Sequence, residues 1–181
     1  MKRKRRSESI GMVDLAFLSN GTVLVDTCFL LDANSKPKVY GDFIGELRGN
    51  GATLVSLELV RVEFVRTKKT EDFKKKLAYF NGLVESILPV DTELETLILD
   101  LIVEYGEDLD GVSVIDLYLA AALKRYKNLF LLTSNHRDFP GHVFTRCSIF
   151  NFELPKAVQT YAFYRYKDVS KVVKIAGEVS F

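Results

Sequence analysis

The chain has 181 residues, 48% of them hydrophobic and 27% charged, proportions of an ordinary folded globular protein and of neither a disordered nor a membranous one. A chain this long buries roughly 70% of the surface its extended form exposes, enough for one domain with a sizeable core. Net charge is +1, but five of the 25 basic residues are Lys2, Arg3, Lys4, Arg5 and Arg6, leaving 20 basic against 24 acidic residues elsewhere, so overall charge gives no nucleic-acid footprint.

From the start, "MKRKRR" leads into "SESIGMVD" and not into the apolar segment of a signal peptide. No stretch approaches the roughly 20 apolar residues of a spanning helix. The expectation is an intracellular, cytoplasmic protein with no membrane segment, opening on a flexible basic arm (residues 1–20) that is either solvated or in contact with RNA. The first apolar run, "TVLV" (22–25), stops at Asp26. A second, "ATLV" (52–55), follows a Gly49–Asn50–Gly51 turn and ends at Ser56. Next, "LVRVEFVRT" reads as a helix on which Glu63 shares a face with Leu59 and Val60. The run "SILPV" (86–90) ends at Asp91, and Leu94, Leu97, Ile98, Leu101 and Ile102 then keep helical spacing behind the capping candidates Asp91 and Thr92. Asp108 and Asp110 read as loop acids. A helix follows from Asp116 through Leu119, Ala120, Leu123 and Tyr126. It precedes "LFLLT" (129–133), the polar stretch "TSNHRD" (133–138), a Phe139–Pro140–Gly141 reversal and a last run, "VFTRC" (143–147).

Continuous apolar runs of this kind belong to strands covered on both faces. Strand and helix alternate, so the expected fold is α/β, a three-layer α/β/α sandwich around a mostly parallel sheet. In such sheets ligands bind at the carboxyl ends of the strands, where Asp26, Ser56, Asp91 and residues 133–138 stand. Cys28 and Cys147 have neither disulfide nor zinc-site spacing, and His136 and His142 read as surface residues.

The acids need reasons. Asp26 alone would serve as a helix N-cap. Glu63, among apolar neighbours, would cost several kcal/mol if buried and ionised without a partner; Arg66 or a metal ion are the two candidates. Asp116 at a helix start gains about 0.3–1 kcal/mol from the dipole, which explains its tolerance but not its placement. Asn135 and Asp138 also suit Asx turns. An aspartyl nucleophile of the haloacid-dehalogenase kind would want a second Asp where Cys28 stands, and no G-x-G-x-x-G follows any strand.

With Asp26, Glu63, Asp116 and Asn135 taken together, the chain resembles the PIN-domain nucleases over roughly Thr22 to Phe152. The matching pieces are "VLVDTCFLLD", "SLELVRVEF", "SVIDLYLAAAL" and "LLTSNHRDF". The resemblance implies a PIN-like domain (21–152) acting as a Mg2+- or Mn2+-dependent endoribonuclease, toxin-like or RNA-processing. Asp26, Glu63, Asp116 and Asn135 would be its metal ligands. Asn135 falls where many members carry a fourth acid, and Asp138 would compensate for its missing charge; Thr27, Thr133 and Ser134 would hold waters or phosphate oxygens. Oxygen ligands without His suit hard dications. A homodimer, and a cognate antitoxin for a toxin-like member, are further implications. The extension 153–181, with "YAFYRYKD" (161–168), is expected to pack on the domain or a partner, as a terminal helix or dimer contact, or to stack on RNA. The rival expectation is a non-catalytic PIN-like module that binds RNA or protein.

Overall fold

The computed structural model describes residues 9–10, 13–154 and 157–167; the basic cluster at 2–6 and the last residue of the 161–168 stretch lie outside them. Seven strands form one sheet: β1 (Ser9–Ile10), β2 (Thr22–Val25), β3 (Thr53–Leu57), β4 (Ser86–Leu88), β5 (Leu129–Thr133), β6 (Phe144–Glu153) and β7 (Val158–Tyr166). Their order is β1-β6-β7-β5-β2-β3-β4. The block β5-β2-β3-β4 is parallel, with Leu24 opposite Val55 and Leu131. β7 is antiparallel to both its neighbours and β1 to β6, so five of the seven strands share one direction.

Six helices cover the sheet: α1 (Thr27–Ser35), α2 (Pro37–Gly49), α3 (Glu58–Val65), α4 (Thr70–Leu83), α5 (Thr92–Tyr105) and α6 (Val114–Arg125). α1 packs on α2, α3 and α4, whereas α5 packs on α6. The β2-to-β3 and β3-to-β4 connections progress one way across the sheet and the β4-to-β5 connection returns. Right-handed crossovers therefore put the two helix groups on opposite faces, giving the three layers. None of the described helices is long and apolar enough to cross a membrane.

Two sequence expectations change here. The run at 143–147 extends to Glu153 and pairs antiparallel, and the described tail is strand through Tyr166, not terminal helix. β7 lies between β5 and β6 because both its faces find cover. Tyr161 and Phe163 meet Phe29, Phe43, Phe150 and Phe152, while Tyr164, on the other face, meets Phe139. All of residues 161–164 are buried. Edge and offset contacts of this kind add about 0.5–1.5 kcal/mol each beyond burial. Residues 15–18, counted with the arm by sequence, also join the core: Leu15 and Leu18 are buried and Phe17 packs edge-on against Phe130 and Phe163.

Candidate active site

In the parallel block the chain leaves β2 for β3 on one side and returns to β5 on the other. The gap between β2 and β5 is thus the switch point where α/β sheets bind ligands. Asp26 ends β2 there and caps α1. Its Oδ1 accepts the Thr27 backbone N–H; its Oδ2 accepts the Thr133 hydroxyl at 2.6 Å, across from β5, and the Cys28 thiol at 3.0 Å. Three of the roughly four lone-pair positions of a carboxylate are taken, which leaves about one for the pocket. Burial raises the Asp26 carboxyl above its usual range against the pull of those donors, and Glu63 adds repulsion.

Asp116 enters from the other helical layer. Ser113 caps α6: its hydroxyl accepts the Asp116 N–H at 3.1 Å and donates to Asp116 Oδ2. With 7% of its surface exposed, Asp116 is pushed up to about 7, first by burial and then by Asp26 and Asp138, against the Ser113 hydrogen bond. Glu63 departs from expectation. It is exposed on the rim beside the buried face of α3, which carries Val60 and Phe64, so the burial cost inferred for it does not arise. Thr27 donates its hydroxyl to Glu63 Oε2. Among the described residues the salt bridges do not include a Glu63–Arg66 pair.

These groups open on one pocket of about 410 Å³, lined by Asp26, Glu63, Asp116 and Asn135 together with Thr27, Ser134, Ser113, Cys28, Leu31 and Ile115. Among the described residues no Lys, Arg or His lines it. Thr133 is fully buried outside the lining and positions Asp26; its oxygen also accepts the Asn135 N–H at 2.9 Å. Asp138 is buried behind Asn135, whose side-chain amide donates to it, and it does not line the pocket. Asp91 leaves the group altogether, capping α5 and binding Arg125 at 2.7 and 2.9 Å. Ser113 and Cys28 were missed by sequence reasoning. Ser113 had a signal, the capping spacing S-x-x-D ahead of an apolar helix; Cys28 had none. Its thiol, pushed up to about 12 by burial and then by Asp26, stays neutral and serves as a donor, not a soft metal ligand.

The donor set is hard oxygen, suited to Mg2+ or Mn2+. Among the described residues, however, no three His, Cys, Asp or Glu side chains stand close enough to hold a metal ion between them. A dication here would therefore have one or two carboxylates and its own waters as ligands, and not an all-protein cage. No family model matches the chain, and neither a curated protein nor a solved structure matches it.

Proposed function

We propose that the chain is a PIN-like, Mg2+- or Mn2+-dependent endoribonuclease that hydrolyses RNA phosphodiester bonds. The observation that supports this reading is the charge of the pocket. Three acids line it, two of them buried and driven toward protonation, and among the described residues no cationic side chain lines it with them. Like charges buried together without a counter-charge are costly unless they take up a proton or a cation.

When bound, the dication would supply Lewis-acid polarisation and a more acidic water. One or two of Asp26, Asp116 and Glu63 would hold it directly, and the rest through its waters. Thr133, Cys28 and the Thr27 N–H fix the Asp26 carboxylate in one orientation, so little is lost in ordering it on binding. Ser113 performs the same service for Asp116, and Thr27 for Glu63. Ser134 and the Asn135 amide stand at the pocket wall for phosphate oxygens or waters.

The second reading, a module that binds RNA or protein without cutting it, is favoured by one feature. Asn135 is neutral and its amide is engaged by Asp138, which lowers the charge available to a second ion. Cleavage of mixed RNA substrates with and without manganese, comparing wild type with Glu63→Gln and Asp26→Asn, separates the two. Manganese-dependent cutting lost in both variants supports the nuclease; equal cutting by all three proteins, or none by the wild type, removes it.

A further inference from the structure

Behind the turn that carries Asn135 lies a second hollow, of about 340 Å³, with the opposite electrostatic character. Arg146 and Lys167 line it, and among the described residues no carboxylate does. Its apolar wall is Phe139, Phe144 and Tyr164, each 1% exposed, and Thr145 stands among them half-buried. The two cations are held in place without being neutralised. Arg146 lies over the Tyr164 ring, 5.7 Å from its centroid, and its Nε donates to the Tyr164 hydroxyl at 3.2 Å. Lys167 donates to the Gly141 carbonyl. Among the described residues neither takes part in a salt bridge. A guanidinium has five N–H donors and an ammonium three, so most of their donors remain for a ligand. The Thr145 hydroxyl adds another, and among the described residues it has no hydrogen-bond partner of its own. A fork of guanidinium donors beside an ammonium, against a wall of low dielectric, is matched by a phosphate group.

We propose that this hollow is a phosphate subsite, binding the phosphate of a nucleotide through Arg146, Lys167 and Thr145. Its place in the fold suits a nucleic-acid strand. The turn His136–Asp138 separates the two hollows, with Asn135 lining one and Phe139 the other. A hydrogen-bonded chain runs from Arg146 to the Tyr164 hydroxyl and on to His136 Nδ1 at 2.9 Å, tying the basic wall to the same turn. Phosphates of one strand could be gripped on the basic side while another lies against the acidic pocket. The same chemistry would accept the phosphate of a free nucleotide. Binding here does not depend on the chain cutting RNA.

The test uses the full chain in buffer containing EDTA, where cleavage does not contribute. Anisotropy of a fluorescein-labelled single-stranded oligouridylate is followed from about 50 to about 200 mM salt, the range over which phosphate contacts show themselves. Each cation on a single-strand phosphate contributes about 0.7 to the slope of log affinity against log salt. Arg146→Gln or Lys167→Gln should each flatten the slope by about 0.7, and the double variant by about 1.4. Lys167→Arg should restore the Lys167 share. Thermal melting of each variant checks that it is folded, so a slope lost by a folded variant is a lost contact. Displacement of the probe by uridine 5′-monophosphate assigns the site to free nucleotides; resistance to it assigns the site to strand phosphates. Wild-type slope and affinity in the folded double variant, or no binding of either probe by the wild type, would overturn the proposal.

Discussion

The most direct measure of the acidic pocket is Asp116→Asn in the absence of divalent ions. In the folded chain the Asp116 carboxyl is raised from 3.8 to about 7, so between those values the folded state holds a proton that the unfolded state has released. Stability therefore falls as pH rises from about 4 to about 7 and levels off above. At 1.36 kcal/mol per unit, the full shift is worth about 4 kcal/mol, an upper bound that relaxation of the pocket reduces to about 2–4. Asn keeps the shape, can still accept from Ser113, and its amide can donate to Asp138 as the protonated acid does. At about pH 8 the variant should melt about 4–16 °C above wild type, at 2–4 °C per kcal/mol for a chain of this size. Near pH 4 the two should coincide. Circular-dichroism melts across this range in EDTA give the comparison, and adding Mg2+ should close the gap from the wild-type side by ligand linkage. A variant no more stable than wild type at high pH, or a difference that does not change with pH, would refute the reasoning.

Other substitutions separate position from chemistry. Thr133→Val removes the donor to Asp26 and the acceptor of the Asn135 N–H, and should cost about 1–3 kcal/mol in denaturant unfolding while weakening Mn2+-induced stabilisation. Glu63→Gln, at an exposed position, should change stability by no more than about 0.5 kcal/mol; on the proposed function it should nevertheless abolish manganese-dependent RNA cleavage. Phe163→Ala should cost about 3–5 kcal/mol in the same unfolding measurement, since its ring is fully buried against Phe17, Phe43 and Phe150; a loss below 1 kcal/mol would contradict the central placement of β7.

Parts of this arrangement were legible in the sequence for a simple reason. β2 and β5 are buried on both faces, so "VLV" (23–25) and "LFLL" (129–132) are apolar without interruption, and the first polar residue after each marks the strand end where Asp26 and Thr133 meet. Asp116 is placed by its own helix start. What failed depended on information that spacing does not carry. Glu63 has apolar neighbours along the chain, but the rotation of α3 against the sheet turns Val60 and Phe64 inward and leaves Glu63 at the rim. Asp138 and Asn135, three residues apart, bond to each other, and only that bond decides which of them faces the pocket. The aromatics of β7 alternate across two covered faces, and two of their partners, Phe29 and Phe43, lie more than a hundred residues back, on α1 and α2.

The place of β7 also sets the order in which the molecule can be completed. Leu131, Leu132 and Thr133 form one edge of the parallel block until Tyr164, Phe163 and Ala162 pair with them. The Thr133 hydroxyl that orients Asp26 therefore sits on a border strand during any stage of synthesis that has not yet delivered residues 162–164. Long-range pairing of this kind is slow to form, and the acidic pocket becomes a finished cradle only when β7, the last of the described strands, has wedged itself between β5 and β6.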